Sequence, residues 1–572
     1  MKKYAIIAIL LLTAAGLHAQ LDTAYFKLEY TPKINEFKKI NPVPDMRDTV
    51  TEKVNFNYYI VPQRIDVSFK PTTIKYAKVA PDEKEDLFRN YLKVGFGYPI
   101  TPLLDFSFHN LQCDKKNPNS FGLNLHHFSS WAPPIGKIMK KYAYYPTSDT
   151  RVHLNFKHFF KKQTLYSAIN YNHESARLYG FHVDPEKEYN TDSLKNNFHH
   201  LNAIVGIASN YVLEEKKLKQ DVRLSYDFLH TNWKDMENHV ALNSFFAYDA
   251  RWAKISGSQL YRFNLNMDYY NNKWGGITGS DNAFLFNPEA IARFTIREYH
   301  ILVGVGGIVN TFRGKTTGTA YPIAELQLGL IPSILSIYAG VDGNARYNSL
   351  KDMLYENPFV KPHLDTMAFT TNYINIYGGV KGNLVKKLNY NLSARYTYAK
   401  NLPFYIIDTT ADLLNQFDVY YRDGNVLNVS LNLDYEIITN LHINFNANYW
   451  LYALKNKAVA LHKPMLEFTF DGRYLLMDKY LFNLNFHIDW GRKALAPSAT
   501  GYEIITMKPV LDFGIGFEYL INSHFSAFAT INNIACQHYS KYYDFRNFGI
   551  NALAGVKYSF GNESIRKVKT KK

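Results

Sequence analysis

The segment Phe548–Phe560 alternates between apolar and mostly polar or small side chains along its whole length. A period of two indicates a β-strand, because successive side chains point to opposite faces of the strand. At about 3.3 Å per residue and a tilt near 40°, such a strand rises roughly 30 Å, comparable to the apolar thickness of a bilayer. The segment therefore predicts one strand of a transmembrane barrel. Its apolar face carries Phe548, Ile550, Ala552, Ala554, Val556, Tyr558 and Phe560.

The end of this segment is similar to a known targeting pattern. Gly555, Tyr558 and the terminal aromatic Phe560 resemble the C-terminal signal of Gram-negative outer-membrane barrels. In that group the last strand is recognised by the barrel-insertion machinery, so the resemblance implies that machinery as a partner. The alternative is an ordinary amphipathic strand that happens to end in Phe. Features elsewhere in the chain are needed to distinguish this alternative from a targeting signal.

The sequence predicts four parts along the chain. Residues 1–19 combine two lysines, an apolar run and a small-residue exit, which is typical of a secretory signal peptide. Prolines interrupt residues 20–89, so we expect a mostly irregular segment there, either in the periplasm or inside the barrel lumen. The barrel itself is expected over residues 90–560, and a basic periplasmic tail over 561–572.

Composition agrees with a barrel and limits the partners. The chain has 45 Tyr and 39 Phe at a mean hydropathy of −0.28, which suits an apolar outer band around a wet lumen. The net charge of +15 comes from lysines scattered through turns and loops. We therefore expect contact with outer-membrane lipid and lipopolysaccharide rather than with nucleic acid.

Twenty-two strands, an even number, can be assigned from the alternation, and the fold class is an all-β transmembrane antiparallel barrel. The clearest lie in 427–435, 441–451 and 480–490, whereas Pro288 and Pro322 interrupt two others. The strands are expected to begin near residues 90, 102, 120, 151, 163, 196, 219, 237, 256, 282, 299, 319, 334, 369, 386, 418, 441, 463, 478, 506, 523 and 544.

The lengths of the connections support the same architecture. Links after even-numbered strands are short, and links after odd-numbered strands are mostly long, with the link near residue 100 as the exception. Short periplasmic turns alternating with long external loops are typical of outer-membrane barrels. This parity predicts an outer-membrane protein with both termini in the periplasm.

The strand count, the signal peptide and the phrase Tyr91–Tyr98 (YLKVGFGY), together with the N-P-F near residue 357, resemble the barrels of TonB-dependent-receptor-like proteins. The resemblance implies passage of solutes across the outer membrane. Residues 20–89 are too few for the plug domain of those receptors, so a full plug is not expected. The alternative is a barrel that transports nothing and serves as a scaffold in an outer-membrane assembly or secretion complex, with 20–89 binding a partner protein.

Polar inward positions on the clearest strands are the candidate lumen lining. A barrel of this strand number encloses a wide lumen, and an open pore of that width would endanger the cell, so we expect part of the chain to narrow it. There are two alternatives: residues 20–89 fold into the lumen, or long loops close its outer end. The candidate lining residues are His442, Asn444, Asn446, Asn483, Asn485, His487 and Asp489.

No pattern in the sequence predicts an enzyme, a metal site or a cofactor. Nucleophile-elbow, zinc-protease and phosphate-loop motifs are absent from the sequence. The pairs His126-His127 and His199-His200 cannot chelate as units, because neighbouring strand residues face opposite sides. The two cysteines, Cys113 and Cys536, are expected at opposite rims as free thiols, too far apart for a disulfide.

Overall fold

The computed structural model describes residues 88–112, 118–132, 145–179, 194–210, 218–250, 257–364, 366–385, 387–411, 413–498, 501–547 and 549–562. The expected signal peptide, nearly all of the Pro-punctuated segment and the basic tail beyond Asn562 lie outside these residues, as do Cys113 and Phe548. All the described residues belong to one compact unit, Glu83–Lys572.

Twenty-two strands form one antiparallel sheet in which strands that follow one another along the sheet are hydrogen-bonded. They are β1 (Phe88–Tyr98), β2 (Leu103–Gln112), β3 (Asn119–Ala132), β4 (Tyr145–Phe159), β5 (Gln163–Arg177), β6 (Lys195–Ser209), β7 (Leu218–Thr231), β8 (Met236–Asp249), β9 (Ser258–Lys273), β10 (Asp281–Ile296), β11 (Tyr299–Phe312), β12 (Lys315–Ile331), β13 (Leu335–Tyr347), β14 (Phe369–Val385), β15 (Leu388–Ile407), β16 (Phe417–Ile438), β17 (Leu441–Leu454), β18 (Leu466–Leu476), β19 (Tyr480–Trp490), β22 (Val510–Leu520), β23 (Phe525–Asn532) and β26 (Asn551–Asn562). The expected number of strands is confirmed.

The last strand closes the sheet into a barrel, as the sequence predicts. Strand β26 pairs with β1 in a continuous antiparallel register that runs from Phe88 opposite Asn562 to Tyr98 opposite Ala552. The strand begins at Asn551, three residues later than the alternation suggests. Gly549, at a φ of +80°, lies in the left-handed region that interrupts an extended strand.

The two ends of the barrel differ. One end, which we name the short-turn rim, carries the connections at 160–162, 297–298, 332–334, 439–440 and 477–479, and the strand ends Phe88 and Asn562. The other, the long-loop rim, carries the connections at 178–194, 348–368, 408–416, 491–509 and 533–550. The link near residue 100 is not the only short one there, since 232–235 and 313–314 are short as well. Arg313 and Gly314 have φ values of +47° and +75°, the geometry of a two-residue hairpin turn.

The two prolines that weaken the alternation do not break their strands. Pro288 lies inside β10 and Pro322 inside β12. Pro288 has no N–H to donate to β11, and the pairing between β10 and β11 is interrupted at residues 287 and 288. The side-chain amide of Asn287 donates instead to the carbonyl of Gly307 at 2.7 Å, which replaces the missing backbone bond.

The remaining elements are small and follow strands at the long-loop rim. A helix, α1 (Leu350–Glu356), and a 3-10 turn (Lys455–Lys457) are the helical elements in the described ranges, and neither is long and apolar enough to cross a bilayer. Two ribbons complete the structure: β20 (Lys493–Ser498) with β21 (Gly501–Thr506), and β24 (Ser540–Tyr542) with β25 (Phe545–Arg546).

Candidate functional site: the inner loop and the lumen wall

The connection between β13 and β14 folds into the barrel, and we name its residues 348–368 the inner loop. Its two ends are adjacent, because Tyr347 pairs with Phe369 in the sheet and the amide of Asn348 donates to the carbonyl of Ala368 at 3.1 Å. Helix α1 follows at once. The hydroxyl of Ser349 caps it by accepting from the amide of Asp352 at 3.1 Å.

One wall of the lumen holds the inner loop through buried carboxylates. Glu237 of β8 accepts a 2.7 Å hydrogen bond from the amide of Leu350 at the start of α1. Asp235, in the connection between β7 and β8, accepts from both the amide of His363 at 2.9 Å and its Nδ1 at 2.6 Å. Both carboxylates are almost fully buried, so these bonds are shielded from water.

The far wall holds the same loop through ion pairs. Lys361 Nζ lies 2.6 Å from Asp418 Oδ2 of β16, and Glu356 pairs with Lys463 in the connection between β17 and β18. The hydroxyl of Tyr542, in β24, donates to the carbonyl of Glu356 at 2.7 Å. Since β8 and β16 lie well apart along the closed sheet, the inner loop crosses the lumen from one wall to the other.

An apolar core inside the barrel packs around the inner loop. Its members come from the inner loop, from the parts of several strands near the long-loop rim, and from the β24–β25 ribbon. Soluble proteins place such a core between layers, whereas here it fills the mouth of the barrel at the long-loop rim. Prominent members are Leu350, Met353, Leu354, Val360, Leu364, Phe198, Leu229, Tyr270, Tyr405, Ile407, Phe417, Val419, Tyr542 and Phe545.

A network of imidazoles and carboxylates lies against the helix on the inner face. Asp227 bonds His200 Nε2 at 2.8 Å and also contacts His239 Nδ1 at 3.2 Å and Lys351 Nζ at 3.2 Å. His239 reaches Asp268 with its other ring nitrogen at 3.0 Å. Each carboxylate therefore has a donor. No group of three or more His, Cys, Asp or Glu side chains among the described residues is arranged to hold a metal ion.

His462, in the connection between β17 and β18, is a neutral imidazole buried in the same region. Its Nδ1 donates to the carbonyl of Tyr405 at 3.2 Å, and its Nε2 accepts from the amide of Tyr543 at 3.3 Å. An acceptor nitrogen cannot carry a proton, so the geometry requires the uncharged form. Burial lowers the pKa of His462 to about 3, and the positive charges of Arg492 and Lys463 act in the same direction.

The seven residues expected to line the lumen form one patch. They lie on β17 and β19, which flank β18, and His487 and Asp489 line an interior cavity together with Glu356 of the inner loop. Asn446 donates to Asn444 at 2.6 Å. The registers place His442, Asn444, Asn446, Asn483, Asn485, His487 and Asp489 on the same inner face.

The strand between them supplies partners that the sequence reading missed. Thr469, Asp471 and Arg473 of β18 lie opposite residues of that patch on both sides, for example Thr469 opposite Asn446 and His487. Glu467 of the same strand lies opposite Asp489. The alternation in β18 was a usable signal, since Phe468 and Phe470 occupy its outer face. The sequence predicts a strand in this region, but the polar face of that strand was not predicted to line the lumen.

A cavity of about 730 Å³ lies at the top of this polar patch, where it meets the inner loop. Trp450, Tyr452 and Phe404 give it an aromatic side, and Glu467, Asp489 and Arg346 give it charges of both signs. This size lies within the range of small-molecule pockets. The arrangement offers flat apolar contact together with hydrogen-bond donors and acceptors.

The histidine pairs behave as the strand geometry predicts. His200 faces inward and bonds Asp227, whereas His199 lies on the outer face beside Tyr171, whose hydroxyl is 2.9 Å from its Nδ1. His126 likewise contacts Asp105 on the inner face, and His127 contacts Thr150 at 2.8 Å on the outer face. Neither pair binds as a unit. Cys536 is an exposed free thiol at the long-loop rim.

Solved structures with a similar architecture include two receptors and a transporter. The siderophore receptor PirA from Acinetobacter baumannii matches with a TM-score of 0.62 at 11% identity, over 82% of this chain and 80% of PirA. The FrpB iron transporter from Neisseria meningitidis matches with a TM-score of 0.61 at 13% identity, over 82% and 81%. The pyoverdine outer membrane receptor FpvA from Pseudomonas aeruginosa, bound to pyoverdine, matches with a TM-score of 0.62 at 9% identity, over 84% and 79%.

At these identities the likeness establishes the fold. The chain has the closed 22-strand barrel of TonB-dependent receptors, so the resemblance inferred from the sequence is confirmed at that level. No protein-family model and no curated protein sequence matches the chain.

Proposed function

We propose that this protein is an outer-membrane barrel that passes polar solutes and that the inner loop narrows its lumen. The observation that carries the proposal is the inner loop itself, held across the lumen between Asp235 and Asp418 above a polar wall. In this proposal the long-loop rim faces outward, and both termini lie on the periplasmic side.

The chemistry of the wall supports a polar solute. The candidate lining consists of amides, imidazoles and carboxylates, which exchange hydrogen bonds with a hydrated molecule at low cost. Asn483 and Asn485 are exposed on the inner face, so their amides are available to a solute. The cavity beside Trp450 and Tyr452 supplies aromatic surface just where the inner loop narrows the path.

The likeness to receptors supports transport as the general role. PirA is a siderophore receptor and FrpB an iron transporter, and this chain shares their barrel at low identity. The substrate proposed here is no narrower than a polar solute that fits the cavity. No observation on the described residues favours a scaffold role.

The test is ion conductance in planar bilayers. Because Tyr347 and Phe369 are paired, residues 349–367 can be replaced by an Asn-Gly turn that joins β13 to β14 without straining the sheet. Wild-type protein, this loop-replaced variant, a variant lacking residues 20–87 and the double variant are compared. Folding is checked by heat-modifiable migration in gels.

We expect low conductance from the wild-type protein and a several-fold rise on loop replacement. The variant lacking 20–87 measures the contribution of that segment separately. A folded double variant without conductance would refute passage through the lumen. Equal conductance in wild-type and loop-replaced proteins would refute the narrowing role of the inner loop while leaving passage in place.

A further inference from the structure

Four histidines form a row on the outside of the barrel, across strands β3 to β7. The registers place His127 opposite Thr150, Thr150 opposite His173, His173 opposite His199 and His199 opposite His230. Neighbouring strands lie about 4.8 Å apart, so the row extends over about 19 Å. We name His127, His173, His199 and His230 the histidine row.

The row faces away from the lumen. In each of its strands it shares the face of side chains that are exposed on the outer surface, such as Ile169 and Tyr171 in β5 and Leu201 and Val205 in β6. The opposite faces of β6 and β7 carry His200 and Asp227, which contact the inner loop. The registers between these strands contain no shift, so the assignment of faces holds throughout the row.

The row lies at the boundary between an apolar and a polar band. The next outward row toward the short-turn rim is fully apolar or aromatic, whereas the next row toward the long-loop rim consists of serines and an asparagine. The apolar row is Leu125, Val152, Tyr171, Leu201 and Phe228, and the polar row is Ser129, Ser148, Ser175 and Asn197. In a bilayer this change from apolar to polar surface marks the level of the lipid headgroups.

The charges around the row favour an anion. Within the described residues of β3–β7, the outward positions carry no Asp or Glu. The ends of the row are neutral, with Leu104 beside His127 and Met236 beside His230.

Two rings of the row, those of His127 and His199, keep a nitrogen available for a ligand. His127 uses Nδ1 with Thr150 and His199 uses Nδ1 with Tyr171, so the Nε2 of each has no hydrogen bond to a described residue. The His173 ring lies against that of His199, with centroids 4.5 Å apart. Imidazoles so close together repel one another when protonated unless an anion lies between them.

We infer that the histidine row binds the phosphate groups of membrane lipids at the outer headgroup level, and that acidic pH strengthens this contact. The neutral rings donate one N–H each, and the protonated rings donate two and add positive charge. Binding of a phosphorylated lipid along the row fixes the height and rotation of this side of the barrel in the membrane.

The test uses full-length protein in phosphatidylcholine vesicles that contain a minor fraction of phosphatidic acid. The phosphatidic acid that co-purifies after extraction is counted by mass spectrometry at about pH 5.5 and about pH 8. The variant H127Q/H173Q/H199Q removes three rings. The matched control is His158→Gln, an outward histidine of β4 near the short-turn rim.

We expect the wild-type protein to retain at least about tenfold more phosphatidic acid than the triple Gln variant at about pH 5.5, because one cation near an anionic surface contributes about fivefold. H158Q should match the wild type. The triple Arg variant H127R/H173R/H199R should retain lipid at both pH values. Since Arg keeps a positive charge at both pH values, this variant tests whether charge at these positions retains the lipid. Heat-modifiable migration in gels checks that both triple variants are folded.

Retention that is the same in wild-type and triple Gln proteins would overturn the inference. The same conclusion follows if H158Q loses lipid as strongly as the triple variant. Displacement of the bound lipid by inorganic phosphate at constant ionic strength would assign the row to a soluble anion and would also overturn it. Conductance plays no part in these outcomes, so they are independent of the proposed passage of solutes.

Discussion

Asp235 is the residue whose removal should open the lumen most directly. Its carboxylate is 2% exposed and accepts hydrogen bonds from the amide and Nδ1 of His363 and from the amide of Gly275 at 2.9 Å. Two of these three bonds hold the inner loop. Replacement by Ala removes both without inserting bulk, so the change acts on the closed state of the loop.

The magnitude follows from the two lost bonds. A hydrogen bond to a charged group contributes about 1.5–3 kcal/mol, so two contribute about 3 kcal/mol at the lower limit. That changes the ratio of closed to open loop by about 150-fold, and an open fraction of about one in a thousand becomes about one in eight. The apolar contacts of Leu350 and Leu364 remain, so the loop should fluctuate rather than unfold.

The assay is single-channel recording, with open probability as the readout. Asp281→Ala is the matched control, because Asp281 lies near the same rim and accepts from Arg313 Nη2 at 2.8 Å and Trp274 Nε1 at 3.1 Å, outside the inner loop. Folded Asp235→Ala protein should open often, and Asp281→Ala protein should behave as the wild type. An unchanged open probability in Asp235→Ala, or equal opening in both variants, would refute the anchoring role of this carboxylate.

Three further predictions concern single side chains. Phe560→Asp should sharply reduce the amount of folded, heat-modifiable protein in the outer membrane, because Phe560 stacks on Tyr558 on the outer face of the closing strand. The control Ser559→Asp, on the opposite face, should be tolerated, and equal yields of the two variants would contradict this. His462 has a folded pKa below its ordinary value, so its stabilisation of the rim is complete above about pH 6.5 and is lost as the pH falls toward 3, by about 2–3 kcal/mol at about pH 4.5. Limited proteolysis of the β24–β25 ribbon should therefore accelerate in acid, and His462→Gln should flatten that dependence. Cys113 and Cys536 should both react with a maleimide in folded, non-reduced protein, and an intramolecular disulfide would contradict the expected topology.

The barrel could be predicted because its determinants are local. Alternation with a period of two is visible within a single segment, and in Phe548–Phe560 and 480–490 it marks which side chains face lipid. A bilayer imposes one rule on every strand, so each strand repeats the same signal. A sheet in a membrane has no free edge, so the last strand has to pair with the first, as β26 does with β1.

The inner loop could not be predicted for the opposite reason. In the sequence, residues 348–368 look like one more long external connection without periodicity, and the helix at Leu350–Glu356 was not predicted. Its anchors, among them Asp235, Asp418 and Lys463, lie far away in the sequence, and each is an ordinary polar residue of a strand end or turn. Nothing local distinguishes a carboxylate that faces water from one that binds a loop.

The histidine row, too, was determined partly by the sequence and partly by the tertiary structure. The sequence alone determined that His126 and His127, like His199 and His200, face opposite sides, because neighbouring side chains in a strand always do. It could not determine that His127, His173, His199 and His230 align, since alignment depends on the register between strands. Register is a tertiary property, set by where each chain segment enters the sheet, and one row on the barrel surface exists only after five strands have paired.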